Sequence, residues 1–194
     1  MILGITGGMG CGKSSAASMF ERNGFQRVDS DALVRDQILT QPPVIEALRT
    51  RFGDAMVAPD GRVDRARLAE RVFADDADRL WLEDLTHPLL FALWRQTLAA
   101  DPQFSWVFEV PLLFEKSLEN WFDFTLCVGC APAQQLARLE QRGLPHALAE
   151  QRISKQLPLA RKIEFADFVL WNDGSVQFLQ DQVTELIRAL RLVS

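Results

Sequence analysis

The chain has 194 residues, a formal net charge of -5, and 48% hydrophobic and 24% charged residues, as expected of a globular protein with one good core. The acidic balance argues against a nonspecific nucleic-acid binder, and no apolar run is long enough to span a bilayer. Three cysteines, an odd number, do not indicate a disulfide framework. The N-terminus enters a predicted strand without a basic region or cleavage site, so we expect no signal peptide and a cytoplasmic location.

The first predicted element is a strand over residues 2–6. Residues 7–14, Gly-Gly-Met-Gly-Cys-Gly-Lys-Ser, follow it and match the pattern G-x-x-x-x-G-K-[ST] in full. A helix is predicted from Ser15 to Arg22, ending at Gly24. A strand, a glycine-rich loop and a helix in this order are the context in which the pattern binds the phosphates of a nucleoside triphosphate.

The residue types of this loop account for its chemistry. Glycines let the backbone approach oxygen atoms closely, and the N-terminus of the following helix adds partial positive charge. Lys13 would reach the outer phosphates and act in catalysis, and the Ser14 hydroxyl would bind Mg²⁺. We therefore predict that the ATP phosphates are bound by Gly8, Gly10, Cys11, Gly12, Lys13, Ser14 and Ser15, with Mg²⁺ as the cofactor.

The next part of the chain is predicted to be mostly helical. A second strand over residues 25–31 ends in Asp29-Ser30-Asp31. Proline breaks the helical pattern at Pro42-Pro43, and we expect a kink or a break near His87-Pro88. Asp64 is a predicted helix N-cap. The predicted helices cover residues 32–39, 44–52, 63–73 and 77–99, and this block is an insertion large enough to cover a substrate.

The second half of the chain returns to alternating strands and helices. Strands are predicted over residues 104–110, 122–128 and 168–172, and helices from Pro132 to Gly143, over 144–162 and over 176–192. Short apolar strands separated by helices indicate a parallel sheet covered on both faces. The sequence therefore predicts an α/β protein, a P-loop NTPase-type three-layer fold with a central five-stranded parallel sheet.

Acidic residues fall near the ends of two predicted strands. Asp29 and Asp31 close the second strand, and Glu109 lies near the end of the third. Ligands of parallel sheets bind at the carboxyl ends of the strands. We therefore expect these three acids at the same sheet edge as the phosphate-binding loop.

Several segments together resemble the dephospho-CoA kinase family over essentially the whole chain. They are the phosphate-binding loop, Asp29-Ser30-Asp31, His87-Pro88, Val110-Pro111-Leu112-Leu113-Phe114-Glu115 and the tail over residues 166–172. The resemblance implies transfer of phosphate from MgATP to the ribose 3′-hydroxyl of dephospho-CoA, which gives coenzyme A and ADP in the last step of CoA synthesis. It also implies a single kinase domain, with a core (1–31, 104–142 and 166–194), a helical CoA-binding insertion (about 32–100) and a lid (about 143–162).

The resemblance implies roles for Asp31, at the end of the first core segment, and for two residues of the insertion. Asp31 matches the acid that serves as the base facing the hydroxyl, and its alternative role is the N-cap of the helix that follows. Arg35, one helical turn further on, would meet a substrate phosphate, unless it is a solvated surface arginine. His87 matches a histidine near the bound substrate, unless it is a structural histidine at a helix break.

Further roles fall in the second half of the chain. Leu112 and Leu113 would form an apolar wall beside the substrate, unless they are ordinary core residues. Arg142 matches a lid-flanking arginine that neutralises charge on the transferring phosphoryl group, and Arg138 is a second candidate. The alternative for both arginines is a salt-bridged helix surface.

The predicted Mg²⁺ ligands are Ser14, Asp29 and Glu109. Three positions depart from the family pattern. Cys11 stands where a small hydroxyl residue is usual, and Ser15 stands where threonine is common. Glu109 stands where many relatives carry aspartate, which puts its part at the metal in question.

Other functions were weighed against this one. Cys127 and Cys130 form a C-x-x-C pattern, but no second pair accompanies them, so zinc is poorly supported and a redox role is an alternative. The functional alternatives are another P-loop kinase for a nucleotide or small alcohol, a GTP-dependent switch, and a CoA-binding module. No asparagine is followed by lysine, which argues against the switch. We expect ATP and dephospho-CoA as small-molecule partners, no nucleic acid or membrane, and a monomer or weak homo-oligomer.

Overall fold

The fold contains two compact units. The computed structural model of the protein describes residues 1–193. The first unit comprises Met1–Asp29 and Gln103–Ser194, and the second comprises Ser30–Pro102.

The first unit is built on a sheet of five strands, and all of its strand pairs are parallel. The strands are β1 (Ile2–Gly7), β2 (Gln26–Asp29), β3 (Trp106–Glu109), β4 (Phe124–Gly129) and β5 (Phe168–Trp171). Their order across the sheet is β2-β3-β1-β4-β5, so the strand that precedes the phosphate-binding loop lies at the centre. The predicted α/β fold with a central five-stranded parallel sheet is confirmed.

Nine α-helices accompany these strands in the part of the chain that the structure describes. They are α1 (Lys13–Arg22), α2 (Ser30–Leu33), α3 (Pro42–Phe52), α4 (Arg65–Ala74), α5 (Asp76–Ala100), α6 (Pro132–Gln141), α7 (His146–Ser154), α8 (Leu159–Phe165) and α9 (Val176–Val193). A π-helix (Val34–Ile38) continues α2, and two short 3₁₀ helices span Asp54–Met56 and Glu119–Trp121. None of the helices within residues 1–193 is long and apolar enough to cross a membrane.

Alternation along β1 separates the two faces of the sheet. Leu3 and Ile5 are fully buried in one core cluster with residues of α1 and α9. Gly4 faces the other side, where an added Cβ would lie 2.6 Å from the ring of Phe122. Thr6, on the same side as Gly4 by the two-residue period, donates to the carbonyl of Pro111 at 3.1 Å. The sheet is therefore covered on both faces, as predicted for a three-layer fold.

Two predicted boundaries were wrong. The second strand ends at Asp29, and Ser30 and Asp31 begin α2 instead, where an acidic side chain suits the positive end of a helix. Residues 144–162 form α7 and the first part of α8 rather than one helical stretch. Pro158 explains the separation because the residue before a proline avoids the helical conformation.

Of the kink or break expected near Pro88, the break does not occur. Helix α5 runs without interruption through this proline. Proline removes one backbone donor, but Leu90 and Trp94, which are buried on the following turns, anchor the rest of the helix. By contrast, the predicted N-cap is confirmed, because the Asp64 side chain accepts hydrogen bonds from the first backbone amides of α4 at 3.1 and 3.2 Å.

A buried carboxylate links three helices of the second unit. Asp78 in α5 is 3% exposed and accepts from Arg51 of α3 at 3.0 Å and Arg71 of α4 at 2.6 Å. Burial acts to raise the pKa of Asp78, but the hydrogen bonds and charges of the two arginines outweigh it and hold the pKa below its usual value. This ion triad fixes the packing of the helical unit.

Candidate phosphate-transfer site

Glycine is required at particular positions of the phosphate-binding loop, residues 7–14. Gly7, Gly10 and Gly12 have φ angles of +144°, +81° and +95°, which residues with a Cβ rarely adopt. At Gly7 an added Cβ would lie 2.2 Å from the carbonyl oxygen of Val128. At Gly12 it would lie 2.2 Å from Nδ2 of Asn172. The loop can therefore curl back between β1 and α1 only because these positions lack side chains.

Three side chains from distant parts of the chain hold this loop. Gln135 donates to the carbonyl of Met9 at 2.8 Å, and Asn172 donates to the carbonyl of Cys11 at 2.9 Å. Arg138 donates to the carbonyls of Asn172 at 2.7 Å and of Gly10 at 3.5 Å. Its guanidinium thus braces the loop. The sequence pattern did not reveal these hydrogen bonds, although Asn172 belongs to the tail over residues 166–172 that contributed to the family resemblance.

Hydrogen bonds fix the positions of Lys13 and Ser14, the two loop residues predicted to contact phosphate and magnesium. Nζ of Lys13 donates to the carbonyls of Gly7 at 3.2 Å and Gly8 at 3.3 Å. Ser14, the second residue of α1, donates from its hydroxyl to Oε2 of Glu109 at 2.7 Å. The lysine thus lies folded over the loop, and the serine points toward the carboxyl end of β3.

Glu109 is the acid that the structure brings to the loop. It is 5% exposed, and Arg27 on β2 holds its other oxygen, with Nε at 2.7 Å and a terminal nitrogen at 2.5 Å. Asp29 lies opposite Glu109 in the β2–β3 register. The predicted placement of Asp29 and Glu109 at strand ends is confirmed, whereas Asp31 lies two residues past the end of its strand.

These oxygen groups suit a magnesium ion that is held mainly by phosphates. No cluster of three or more His, Cys, Asp or Glu side chains able to hold a metal occurs among residues 1–193. Mg²⁺ usually takes one or two protein oxygens and completes its shell with water and substrate phosphates. One hydroxyl, Ser14, with nearby carboxylates at Glu109 and Asp29, fits that mode of binding.

A cavity of about 460 Å³ adjoins the loop on the side of α6 and α9. Arg142, the residue after the end of α6, is exposed and lines it together with Arg138. The cavity wall also includes Gly10, Gly12, Ser15, Ser18, Met19, Arg22, Asn172, Gly174, Val176 and Leu179. Of the two arginines predicted at the phosphoryl group, Arg138 braces the loop, and Arg142 is the exposed one.

In the segment after β3, the two leucines predicted to form a wall beside the substrate differ in burial. Leu113 is fully buried and lies over Gly4, so its side chain is part of the core. Leu112 remains partly exposed. Because Gly4 of β1 has no side chain, it leaves room that Leu113 fills. The sequence alone did not indicate this contact.

The same segment carries a buried ion pair. Lys162 of α8 is completely buried, and its Nζ lies 2.7 Å from Oε1 of Glu115 and donates to the carbonyl of Pro111 at 2.8 Å. The backbone amide of Leu157 donates to the same carboxylate oxygen at 3.0 Å. These contacts hold α8, and Leu157 just before it, against the Pro-Leu-Leu-Phe-Glu segment.

The cysteines do not pair as the C-x-x-C pattern suggests. Cys127 and Cys130 fall on different faces of the sheet, because Cys130 belongs to the core cluster with α1 and α9 and Cys127 does not. Sγ of Cys130 instead lies 3.2 Å from Sγ of Cys11 in the loop. The close sulfur pair in the structure thus joins residues far apart in sequence, not the two cysteines of the C-x-x-C pattern.

The second unit contains the remaining predicted residues. Asp31 is exposed in the first turn of α2, and His87 on α5 is partly buried with its ring 5.7 Å from that of Phe91. Arg35 in the π-helix forms two 2.7 Å hydrogen bonds with Asp36, which lower the pKa of that carboxyl. Arg35 also lines a cavity of about 700 Å³. The other charged residues of this cavity are Asp36, Asp60, Arg62, Asp64 and Arg65.

A parallel sheet with a phosphate-binding loop after its central strand, followed by a helix that begins with Lys13-Ser14, defines a P-loop kinase fold. A dephospho-CoA kinase from Campylobacter jejuni has the same fold, with a TM-score of 0.72 and 23% identity over 97% of this chain and 96% of that one. The sequence model of the dephospho-CoA kinase family matches residues 1–177. The chain belongs to the dephospho-CoA kinase family.

One further relative carries the same family name, and one further solved structure is similar to this chain. A dephospho-CoA kinase from Thermosynechococcus vestitus is 44% identical over 190 residues, which cover 97% of this chain and 94% of the relative. A solved structure from Thermus thermophilus superimposes with a TM-score of 0.85 and 32% identity, covering 98% of this chain and 97% of that one. Both likenesses extend over nearly the whole chain.

Proposed function

We propose that this protein is an ATP-dependent kinase that phosphorylates the ribose 3′-hydroxyl of dephospho-CoA and releases coenzyme A and ADP. The observation that carries the proposal is membership of the dephospho-CoA kinase family, in a chain whose phosphate-binding loop retains Lys13 and Ser14. A module that only binds CoA has no need of this lysine and serine. The reaction is the last step of coenzyme A synthesis.

The loop is proposed to hold the ATP phosphates. On nucleotide binding, Nζ of Lys13 exchanges the two loop carbonyls that it now contacts for phosphate oxygens, which bear more negative charge. The cavity beside the loop receives the rest of the nucleotide. Arg142, exposed on its wall, is proposed to approach the transferring phosphoryl group and to offset the charge that develops there.

Magnesium is the proposed cofactor, and Ser14 is its first proposed ligand. A metal ion held there would supply positive charge that offsets the charge of the phosphate oxygens during transfer. Glu109 accepts the hydroxyl proton of Ser14 in a hydrogen bond, which leaves the oxygen lone pairs free to face a cation. Asp29, opposite Glu109 in the register, is proposed to contact the metal or its water.

The helical unit is proposed to bind the acceptor. Asp31 is proposed to orient the ribose 3′-hydroxyl and accept its proton as the new bond to phosphorus forms. The cavity lined by Arg35, Arg62 and Arg65 is proposed to take anionic groups of dephospho-CoA. His87 and Leu112 are proposed as further substrate contacts.

The test measures ADP and coenzyme A formation with MgATP and dephospho-CoA for the wild type, Asp31→Asn and Asp76→Asn. Asp76 is a matched control because it is also an exposed acid in the first turn of a helix. A general base contributes about 10²–10⁴-fold to rate, so we expect Asp31→Asn to lower kcat by about that factor with little change in KM for ATP. Asp76→Asn should retain the wild-type kcat.

Other results would revise specific parts of the proposal. Full activity of Asp31→Asn would keep the reaction and move the base to another residue. Turnover of a nucleoside monophosphate or small alcohol, with none of dephospho-CoA, would leave the phosphate-binding loop in place and overturn the substrate.

A further inference from the structure

We propose that Cys11 and Cys130 form a disulfide under oxidation, and that this bond deforms the phosphate-binding loop and weakens nucleotide binding. Cys11 is the loop residue directly before Gly12, and Cys130 follows the last residue of β4. The bond would join two parts of the first unit that are 119 residues apart. Only its effect on ATP rests on the proposed function.

The geometry of the two thiols favours this bond. Their sulfur atoms lie 3.2 Å apart, and the Cys130 thiol donates a hydrogen bond to Cys11. A disulfide requires the sulfurs to approach by about a further 1 Å. Both side chains are buried, with 0% of Cys11 and 1% of Cys130 exposed, so each thiol has the other as a close neighbour in the core. Cys127, the third cysteine, does not belong to this cluster.

The environment also makes Cys11 the nucleophile of the pair. The hydrogen bond from Cys130 lowers the pKa of Cys11 against the opposing effect of burial, and the nearby charge of Lys13 lowers it further. The same hydrogen bond raises the pKa of Cys130, which remains a thiol. The pKa of Cys127 is raised to about 11, mainly by burial, so this cysteine also remains a thiol at neutral pH.

The proposed oxidant is a peroxide, and the reaction proceeds in two steps. The Cys11 thiolate attacks one oxygen of hydrogen peroxide and breaks the O–O bond, giving a sulfenic acid and hydroxide, which takes a proton to become water. The sulfur of Cys130 then attacks the Cys11 sulfur, its proton leaves with the displaced hydroxide as a second water, and the disulfide is complete. Two thiols lose two electrons in total, and one peroxide gains them.

The consequence for the loop follows from how Cys11 is held. Its amide donates to the carbonyl of Gly8 at 3.1 Å, and its carbonyl accepts from Asn172 at 2.9 Å. Its sulfur lies close against Gly8, 2.9 Å from where a Cβ would be on that glycine. A pull of about 1 Å toward Cys130 therefore acts on a tightly fitted backbone. The amides that would face the phosphates shift with it.

The experiment treats the full-length protein with hydrogen peroxide and maps disulfide-linked peptides by mass spectrometry under non-reducing conditions. Three proteins are compared, namely wild type, Cys130→Ser and Cys127→Ser. We expect a Cys11–Cys130 link in wild type and Cys127→Ser and none in Cys130→Ser. The MgATP dissociation constant, measured by calorimetry without acceptor, should rise at least about tenfold in the two proteins that form the link. Dithiothreitol should restore it.

Each alternative result has a definite meaning. A link that involves Cys127, or no link at all, overturns the proposal. A Cys11–Cys130 link with unchanged MgATP affinity overturns its effect on the loop. If the untreated protein does not bind MgATP, the proposed function fails, and the peptide map still decides whether the pair forms a disulfide.

Discussion

The ion pair between Arg27 and Glu109 offers the sharpest test of how the site is held together. Glu109 ends β3 with its side chain 6% exposed. It accepts hydrogen bonds from Nε of Arg27 and from the Ser14 hydroxyl, and it forms an ion pair with a terminal nitrogen of Arg27. Arg27 is 23% exposed and also contacts Ser18 at 2.8 Å. We consider Arg27→Met, which keeps much of the aliphatic stem and removes the cation, and compare it with Glu109→Gln.

The two substitutions should differ in cost because the two partners differ in burial. Removing one partner of a buried pair costs about 3–5 kcal/mol, and the partial exposure of Arg27 places Arg27→Met near the lower end, at about 3 kcal/mol. Glu109→Gln leaves a cation that reaches solvent and keeps its hydrogen bond to Ser18. Its cost should therefore be nearer about 1–2 kcal/mol. Arg27→Met is expected to be the more destabilising by about 1–2 kcal/mol.

Urea unfolding followed by circular dichroism measures both free energies of unfolding. A change of midpoint with an unchanged slope would mark a change of stability alone. Arg188→Met is the matched control, since Arg188 pairs with Glu185 on an exposed helix surface, where such a pair contributes about 0–1 kcal/mol. If Glu109→Gln proved as costly as Arg27→Met, or if Arg27→Met matched the control, the argument from the buried carboxylate would be refuted.

Three further predictions concern the loop, a surface histidine and the helical unit. Gly12→Ala should weaken MgATP binding at least about tenfold, as measured by calorimetry. The added Cβ would collide with Asn172, and a φ of +95° is strained for alanine. Unchanged affinity would contradict the steric argument. The hydrogen bond that the His146 ring donates to Glu140 raises the pKa of His146, so the pair stabilises the protein below about pH 6.5 and loses this effect as pH rises through the folded pKa. An NMR titration of the ring should show a lower pKa in Glu140→Gln, and equal values would argue against the pair. The two arginines that hold Asp78 lower its pKa, so its contribution to the free energy of unfolding is present above about pH 3.9 and is lost as pH falls through the folded pKa. The stability difference between wild type and Asp78→Asn in urea unfolding should therefore shrink in acid. A constant difference would exclude this linkage.

The elements whose patterns are local were predictable from the sequence. The strand–loop–helix around Gly12 follows from residue types that only this backbone accepts, and the apolar strands follow from their composition. Helix α5 shows where local rules fail. The propensity of Pro88 to end a helix is outweighed by the burial of Leu90 and Trp94, which depends on tertiary packing.

The contacts that hold the site were less predictable. Arg138 was expected at the phosphoryl group, but two backbone carbonyls of distant segments accept its hydrogen bonds. The C-x-x-C pattern groups Cys130 with Cys127, yet strand alternation places the two on different faces of the sheet, and the fold brings Cys11 close to Cys130. Such partners depend on which strands are neighbours, and a local pattern carries no information about that.

The buried amine of Lys162 bears on how the segment proposed as a lid can move. Any displacement of α8 would separate this cation from Glu115 and the carbonyl of Pro111, and it would leave charges without partners in the core. Gly143, before α7, has a φ of +82° with open space around it. We therefore expect any closure of the proposed lid over a bound nucleotide to leave α8 in place. The movable part of the proposed lid is then expected to end before α8 begins at Leu159.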